Sequence, residues 1–594
     1  MPLPTRADRT LTAFEQPATH TLRGTTWMIR KFLLATIALA SILACTAAIR
    51  GDQPPSGAGS AWAEIRIVDA TTGRGVPSVE LETVNGLRFV SDNLGRVAFL
   101  EPGLMDREVY FQIRSHGFLL PADGFGFRGR KIVPRAGSTT TIDLPRINLA
   151  ERVCRLTGEG RLRDSILLGL VPAAAAPLPG GVAGQDSVQA TVYRGRIHWF
   201  WGDTQRMSYP LGLFRTAGAT TPLPTPAAID PAAGIPYDYF LDPPTAAEPV
   251  GFVRAMMPLP ERPDGVIWID GVCTVADGAG ADGDQAQRGD NPHRRMVAHY
   301  SRRRGLAEQL EQGIAVWDDA SATFTVAAQR PLEESWRLPT THPIDWQSEG
   351  RTWLLFGAPT PNVRVPATFA AVCDPICYES FTCADAANPS HPLCDSQGRP
   401  QWRWQRDLPP TGSRDEKRWI DAGLLEARWA RFCPARAVAD QGPDDPDSRR
   451  TVPPDALPAS PSPMRDGERH SVGPVTLHSG TVRWNAHRQA WILIAGEVGG
   501  RSQLGEVWYA ESASPTGPFS VAVRIVTHDR QSFYNVCHHP FFDGDGGQTI
   551  HFEGTFTREF SGNPQAVPRA DYNQVLYRLD LDSAGLLPAR RQGG

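Results

Sequence analysis

The chain has 594 residues, a formal charge of −4 and a pI near 6.4, so no basic surface points to a nucleic-acid partner. Charged residues make up 21% and hydrophobic residues 41% of it, the balance of a globular protein with a sizeable core and not of a disordered chain. Gly 56, Pro 53 and Trp 16 against Met 8 give many turns and aromatic packing, an all-β accent; no apolar run reaches the roughly 18 residues of a membrane-spanning helix.

The first predicted element is a targeting segment. In residues 28–45 (MIRKFLLATIALASILAC), Arg30 and Lys31 form a positive region and Phe32 to Ala44 an apolar stretch of 13 residues. That stretch is too short to span comfortably and small residues follow it, the pattern of a secretory signal. Ile42-Leu43-Ala44-Cys45 resembles the lipobox of bacterial lipoproteins, in which Cys45 becomes the lipidated first residue. The alternative is cleavage near Thr46-Ala47-Ala48, which discards Cys45. Residues 1–27 lack apolar periodicity, so Met28 is a candidate initiator, and residues 51–60 (GDQPPSGAGS) read as a tether. The expected location is exported: a bacterial cell-envelope lipoprotein or a secreted protein.

Residues 61–150 read as a small β-sandwich. Ile65, Ile67, Val79, Leu81, Val97, Phe99, Val109, Phe111 and Ile113 alternate with polar residues, and Thr72-Gly73-Arg74-Gly75, Asn85-Gly86 and Asp92-Asn93-Leu94-Gly95 supply the turns. The strings DATTGRGVPSVELET and FVSDNLGRVAF resemble the carboxypeptidase regulatory-like (transthyretin-like) sandwich. In that family the module is an accessory spacer or adhesion domain, which implies no chemistry.

From residue 155 to 585 a repeat appears: a polar turn, then an apolar strand ending in small or acidic residues. Its copies are RGRIHWFWGDT (194–204), EGRTWLLFGAP (349–359), HRQAWILIAGE (487–497) and GGQTIHFEGTF (546–556), with RRMVAHYSR (294–302) as a weaker fifth. Each follows an earlier strand: GQDSVQATVY, IDWQS, VGPVTLHSGTVRW, VCHHPFF and WIDGVCTVAD. Strand–turn–strand units around a ring predict a five-bladed β-propeller. Pro/Gly/Asp-rich insertions near 205–260 and 384–470 read as loops. Cys373, Cys377, Cys383 and Cys394 crowd into 22 residues with the spacing C-x3-C-x5-C-x10-C. Zinc, with Asp374 or His391, is one reading, but zinc ribbons show C-x2-C knuckles, and in an oxidising compartment two local disulfides are expected.

EVWYAESASPTGPF (506–519) resembles the third strand and exit turn of blades in five-bladed propeller glycosidases of the arabinanase, xylosidase and fructosidase type. VYRGRIHWFWGDT is similar to the first blade of related propellers. A propeller fold does not fix function. The resemblance implies a catalytic base or nucleophile at Asp186, in the first blade's inner strand, and a supporting aspartate at Asp270 in blade two. It places the acid in blade three, where Glu379 lies; Glu497 and Glu506 in blade four are the other candidates for it. Glycoside cleavage needs two such carboxyl groups, one protonated and one ionised, and an apolar setting raises a glutamate toward working pH. Each acid has a plainer alternative: a turn cap for the aspartates, a solvated surface carboxylate for the glutamates.

Asp203 is a candidate for binding substrate hydroxyls with Trp201 stacking on a sugar ring, or else a strand cap with the tryptophans packed between blades; Glu553 holds a similar strand-end place in blade five. Relatives place a channel histidine where His538 and His539 stand, near water or a calcium ion; strand alternation lets at most one of the two face the channel. Arg364 either clamps a carboxylate or pairs with a buried acid. Asp543-Gly544-Asp545-Gly546-Gly547 lacks the remaining ligands of a calcium loop and reads as a hairpin turn. No G-x-S-x-G elbow, H-E-x-x-H helix or phosphate loop occurs.

The reading is an exported glycoside hydrolase acting on a polysaccharide or oligosaccharide through paired carboxylates in the channel. No cofactor is required, a structural calcium in the channel being the one candidate ion. The partner is carbohydrate, with membrane contact only through a lipid anchor and a monomeric state. The rivals are a non-catalytic glycan- or protein-binding propeller, whose acids would be paired with Arg or scattered, and a polysaccharide lyase using His538 or His539 with Arg364.

Overall fold

The computed structural model describes residues 61–171, 179–224, 234–246, 249–278, 293–357, 359–437, 474–500 and 502–591. The export segment, Cys45 and the tether lie outside the described residues, as do parts of both insertions.

The alternating residues of 61–150 form two facing sheets. One comprises Ala63–Asp69, Arg96–Phe99 and Thr139–Leu144; the other Glu80–Thr83, Arg88–Val90, Val109–Arg114 and Gly129–Ile132. Ile65, Ile67, Val79, Leu81, Val97, Phe99, Phe111 and Ile113 meet in one core, because a period of two puts all of them on the inner faces.

Each of the five repeat copies is the second strand of a blade: Arg196–Trp201, Arg294–Arg304, Arg351–Phe356, Ala490–Glu497 and Thr549–Thr557. Their antiparallel inner partners are Gln189–Tyr193, Val266–Ala276, Ile344–Ser348, Leu477–Asn485 and Ser532–His538. Further strands extend each sheet to four or five. The outermost strand of blade five is Glu151–Arg155, from ahead of blade one, paired with Asn573–Asp580. Start and end of the propeller thus share a sheet. The chain is an all-β protein, a small sandwich followed by a five-bladed β-propeller.

The repeat strands are largely buried because both faces are covered, each by a different neighbour. Trp199 and Trp201 pack toward Cys537, Phe542 and Leu576 of blade five. Phe200, between them, packs toward Met296, Tyr300, Trp317 and Phe324 of blade two. In blade four Ile492 and Ile494 join the blade-five core, while Leu493 and Ala495 turn to Trp508 and Phe519.

The sandwich docks on the closing strand. The buried Arg152 side chain donates to the carbonyls of Pro77 (3.1 Å) and His116 (2.9 Å), and Asn93 exchanges two hydrogen bonds with the Arg155 backbone.

Three expectations need correction. The insertions are not all loop: Val182–Gln185, Thr204–Arg206 and Tyr209–Leu213 make a small extra sheet beside blade one, and Ser413–Asp421 is a helix. The two disulfides are absent, since all eight described cysteines are free thiols. Cys383 instead packs against Trp419 and Leu425, and Cys373 and Cys377 sit at the ends of two short helical turns. Inner strand five ends at His538, beyond which Pro540–Phe542 forms a turn. Among the described residues no helix is long and apolar enough to cross a membrane.

Candidate active site

Within or just ahead of the inner strands of four blades stands a left-handed residue: Ser187 (φ 56°), Gly271 (φ 61°), Thr341 (φ 57°) and Asn535 (φ 52°), so Asp186 lies ahead of inner strand one and not in it. Blade four has a register shift between Leu477 and Gly480 instead. At Gly271 a β-carbon would lie 2.4 Å from the Pro339 carbonyl, so glycine is required there. These irregularities free polar groups to stitch neighbouring blades around the channel. Asn535 Nδ2 donates to Ser187 Oγ (2.6 Å), Gln189 Nε2 to Asp270 Oδ1 (2.7 Å) and Thr341 N to the same oxygen (3.0 Å). Arg483 Nη1 donates to His342 O (3.0 Å) and His538 N to Thr481 Oγ1 (3.1 Å). Every pair of adjacent blades is joined. Asp270, also accepting from Gly271 N at 2.8 Å, is a pin holding blades one, two and three.

Asp186 and Asp203 come together. Gln185 pairs with Thr204 in the small sheet, and just beyond that pair Gly202 and Asp203 together face Asp186. Asp186 N donates to Asp203 O (3.3 Å) and Gly202 N to Asp186 O (2.9 Å). A β-carbon at residue 202 would lie 2.2 Å from Asp186 Oδ1; glycine there makes room for the carboxyl group. Tyr534 of inner strand five donates its hydroxyl to Asp186 Oδ2 (3.1 Å), and the Tyr572 hydroxyl also favours the charged form of this carboxyl group. Oδ1 is buried without a partner. Trp268 of inner strand two donates its indole N–H to Asp203 Oδ1 at 2.8 Å.

Burial pushes Asp186 up to about 7, with the charge of Asp203 adding to it and the tyrosine hydrogen bonds opposing. Burial also raises Asp203, against the Trp268 hydrogen bond. Glu559 lies on the exposed side, its carboxyl raised by partial burial and by the charges of Asp571 and Asp203. The 64%-exposed Phe560 stands next to it, 5.9 Å from the Tyr534 ring.

The glutamates lie elsewhere, tied to arginine. Glu379 starts an outer strand of blade three and bonds Arg364 (2.8 Å) and Arg406 (3.3 Å). Arg364 also holds Glu349 at 3.0 Å and lies between the rings of Trp353 (4.0 Å) and Trp404 (4.5 Å). It is a packed ion-pair hub, the structural one of its two alternatives. Glu497 is buried against Arg436 and accepts from Trp508 Nε1 at 2.9 Å. Glu506 accepts from Thr527 Oγ1 (2.9 Å) and faces Arg524 (3.4 Å).

Trp201 is fully buried, with the rings of Tyr237 and Tyr239 at 4.8 and 5.4 Å. It cannot offer a face to a sugar, so packing between blades wins over stacking. Glu553 is likewise fully buried, and in mid-strand, not at a strand end. His539 Nε2 contacts its Oε1 at 2.6 Å, and His538 Nε2 contacts Asp543 Oδ1 at 2.8 Å.

Tyr534, Tyr572, Trp268 and Glu559 are the site residues that sequence reasoning did not single out. For Asp203 the sequence offers a substrate contact or a strand cap, and not a place beside Asp186. The flanking strings Gly184-Gln185-Asp186 and Gly202-Asp203-Thr204 were the one available signal that two aspartates share a turn.

No protein-family profile and no curated protein matches the chain. Solved structures similar to it include the GH43_1 enzyme from Xanthomonas citri, at 11% identity and TM-score 0.28, covering 68% of this chain and 90% of that one. The exo-β-1,3-galactanase from Phanerochaete chrysosporium aligns at 8% identity and TM-score 0.30, covering 73% and 65%. The Bombyx mori GH32 β-fructofuranosidase aligns at 10% identity and TM-score 0.27, covering 66% and 59%. At such values, what the site does is read from the chain's own residues.

Proposed function

We propose that the protein is a glycoside hydrolase whose reacting carboxyl groups are Asp186 and Asp203. The observation that carries this is the pair itself: two opposed aspartates, one pushed up to about 7 by burial and by its neighbour's charge. Glycosidic cleavage uses such a division, a carboxylic acid protonated near neutral pH beside a carboxylate. Asp186 is the proton donor, the reverse of the base or nucleophile role expected for it. When it gives its proton to the leaving oxygen, the Tyr534 and Tyr572 hydroxyls stabilise the carboxylate left behind. Asp203, oriented by Trp268, attacks the anomeric carbon as the carbon–oxygen bond breaks, and water then cleaves the glycosyl ester with Asp186 as base.

A carboxyl separation of roughly 5–5.5 Å would accord with this retaining course, and one of roughly 6.5–9.5 Å with inversion. Trp268 and Phe560 flank the pair as aromatic faces for a sugar ring. Export, with Cys45 lipidated, is part of the same proposal and rests on residues 28–45 alone.

The test is product release from plant, algal and bacterial polysaccharides and oligosaccharides by wild type, Asp186→Asn and Asp203→Asn. New reducing ends from wild type, reduced at least ~100-fold in both folded variants, support the assignment; undiminished release in either variant refutes it. A second reading, a non-catalytic glycan-binding propeller, is favoured by the arginine pairing of Glu379, Glu497 and Glu506. Glycan binding without product would establish that reading instead.

A further inference from the structure

A second group of side chains meets near the axis, three residues along inner strand five from Tyr534 and outside the Asp186–Asp203 pair. Cys537 follows the register shift of that strand and is 2% exposed. Its Sγ lies 3.5 Å from His342 Nδ1, which leads into blade three, and 3.7 Å from His539 Nδ1. His539 Nε2 is 2.6 Å from Glu553 Oε1, and Glu553 is the cross-strand partner of Cys537. Arg483 of blade four also faces the sulfur electrostatically. Trp199 closes over His539, with ring centroids 5.2 Å apart. Among the described residues no three His, Cys, Asp or Glu side chains are arranged to share a metal ion.

The proton arithmetic of this cluster is unusual. A thiol has one proton, and two imidazole nitrogens approach the same sulfur. The buried carboxylate of Glu553 calls for a cation, and His539 is the group within reach. A proton on His539 satisfies the carboxylate through Nε2 and the sulfur through Nδ1 at once. Burial alone would push the Cys537 thiol up, but His342 and His539 outweigh it and hold the thiol well below its ordinary value. Burial would lower His539, but Cys537 and Glu553 raise it to about 10.

We propose that Cys537, with His539 and Glu553 behind it and His342 across from it, is a nucleophilic thiolate that takes small uncharged carbon electrophiles. The sulfur lone pair forms the new S–C bond, the leaving group departs with its bonding electrons, and the imidazolium keeps its proton. Nucleophile, nitrogen base and orienting carboxylate in sequence is the arrangement that activates cysteine elsewhere. Cys273 and Cys383, whose thiols burial raises, provide internal controls.

The test is alkylation of the full-length protein by iodoacetamide between pH 5.5 and 8.5, read by peptide mass at each cysteine. The expected result is a Cys537 rate almost independent of pH, while half-buried Cys373 speeds up about tenfold per pH unit, as an ordinary thiol does below its pKa. Glu553→Gln and His539→Gln, checked for native near-ultraviolet circular dichroism, should restore the ordinary pH rise at Cys537. If either variant fails to fold, His342→Gln, on the more exposed side, serves the same comparison. A Cys537 that stays unmodified until urea is added, or whose wild-type rate climbs tenfold per unit, overturns the proposal.

Discussion

Asp203 faces Asp186 together with Gly202 and is joined to it through the backbone by a 3.3 Å hydrogen bond, and its charge helps keep the Asp186 carboxyl protonated near neutral pH. The side-chain donors to these two carboxyl groups are uncharged: Tyr534 for Asp186 and Trp268 for Asp203. The glutamates of blades three and four are instead paired with arginine.

The glycine between the strands is required by this pairing. Gly202→Ala puts a methyl group 2.2 Å from the present position of Asp186 Oδ1, so the carboxyl group must swing away. The expected result is a loss of turnover of about 10²-fold or more with a small change in stability, because near-attack geometry fails before the fold does. Reducing-end assays alongside thermal melts check it.

Asp186 also links stability to pH. Its folded value, about 7, lies above the ordinary 3.8, so the folded protein holds this proton more tightly than the unfolded chain. That contribution is fully present below pH ~4 and is lost as pH rises to about 7, by roughly 2–4 kcal/mol. Asp186→Asn should flatten the decline, so that its urea midpoint gains on wild type between pH 5 and pH 8.

Arg364 should matter for folding and little for chemistry. Arg364→Met leaves Glu379 without its closest cation and empties the slot between Trp353 and Trp404; a loss of about 2–4 kcal/mol is expected. Glu349→Gln, at the exposed end of the same hub (60% side-chain exposure), should cost less than about 1 kcal/mol. Denaturant midpoints of the two variants separate these outcomes.

Two tryptophans should divide the same way. Trp201, with no exposed surface, should cost about 3–5 kcal/mol on substitution by alanine. Trp268→Ala, which removes the N–H donor to Asp203 and an aromatic face, should mainly raise KM and lower kcat. Melting curves and steady-state kinetics tell them apart.

The blades were legible in the sequence because a strand covered on both faces leaves an apolar run between polar turns, and all five runs became second strands. The sandwich was legible from its period of two. Asp186 stood out by its place ahead of the first such run. Its relation to Asp203 was hidden because the small sheet joining them, Val182–Gln185 with Thr204–Arg206, is too short to show a period. The glutamates misled for a different reason. A strand-end acid looks available until its counter-ion is known, and Arg436 lies 61 residues from Glu497. Trp201 looked like a sugar platform because sequence cannot tell a blade face from a channel face.

The most direct test of the Asp186–Asp203 pair is titration of the Asp186 carboxyl group by ¹³C NMR in wild type and in Asp203→Asn. A midpoint near 7 in wild type, moving down when Asp203 loses its charge, is the expected result. An ordinary carboxylate midpoint, unchanged by Asp203→Asn, would contradict the pairing and with it the proton-donor role of Asp186.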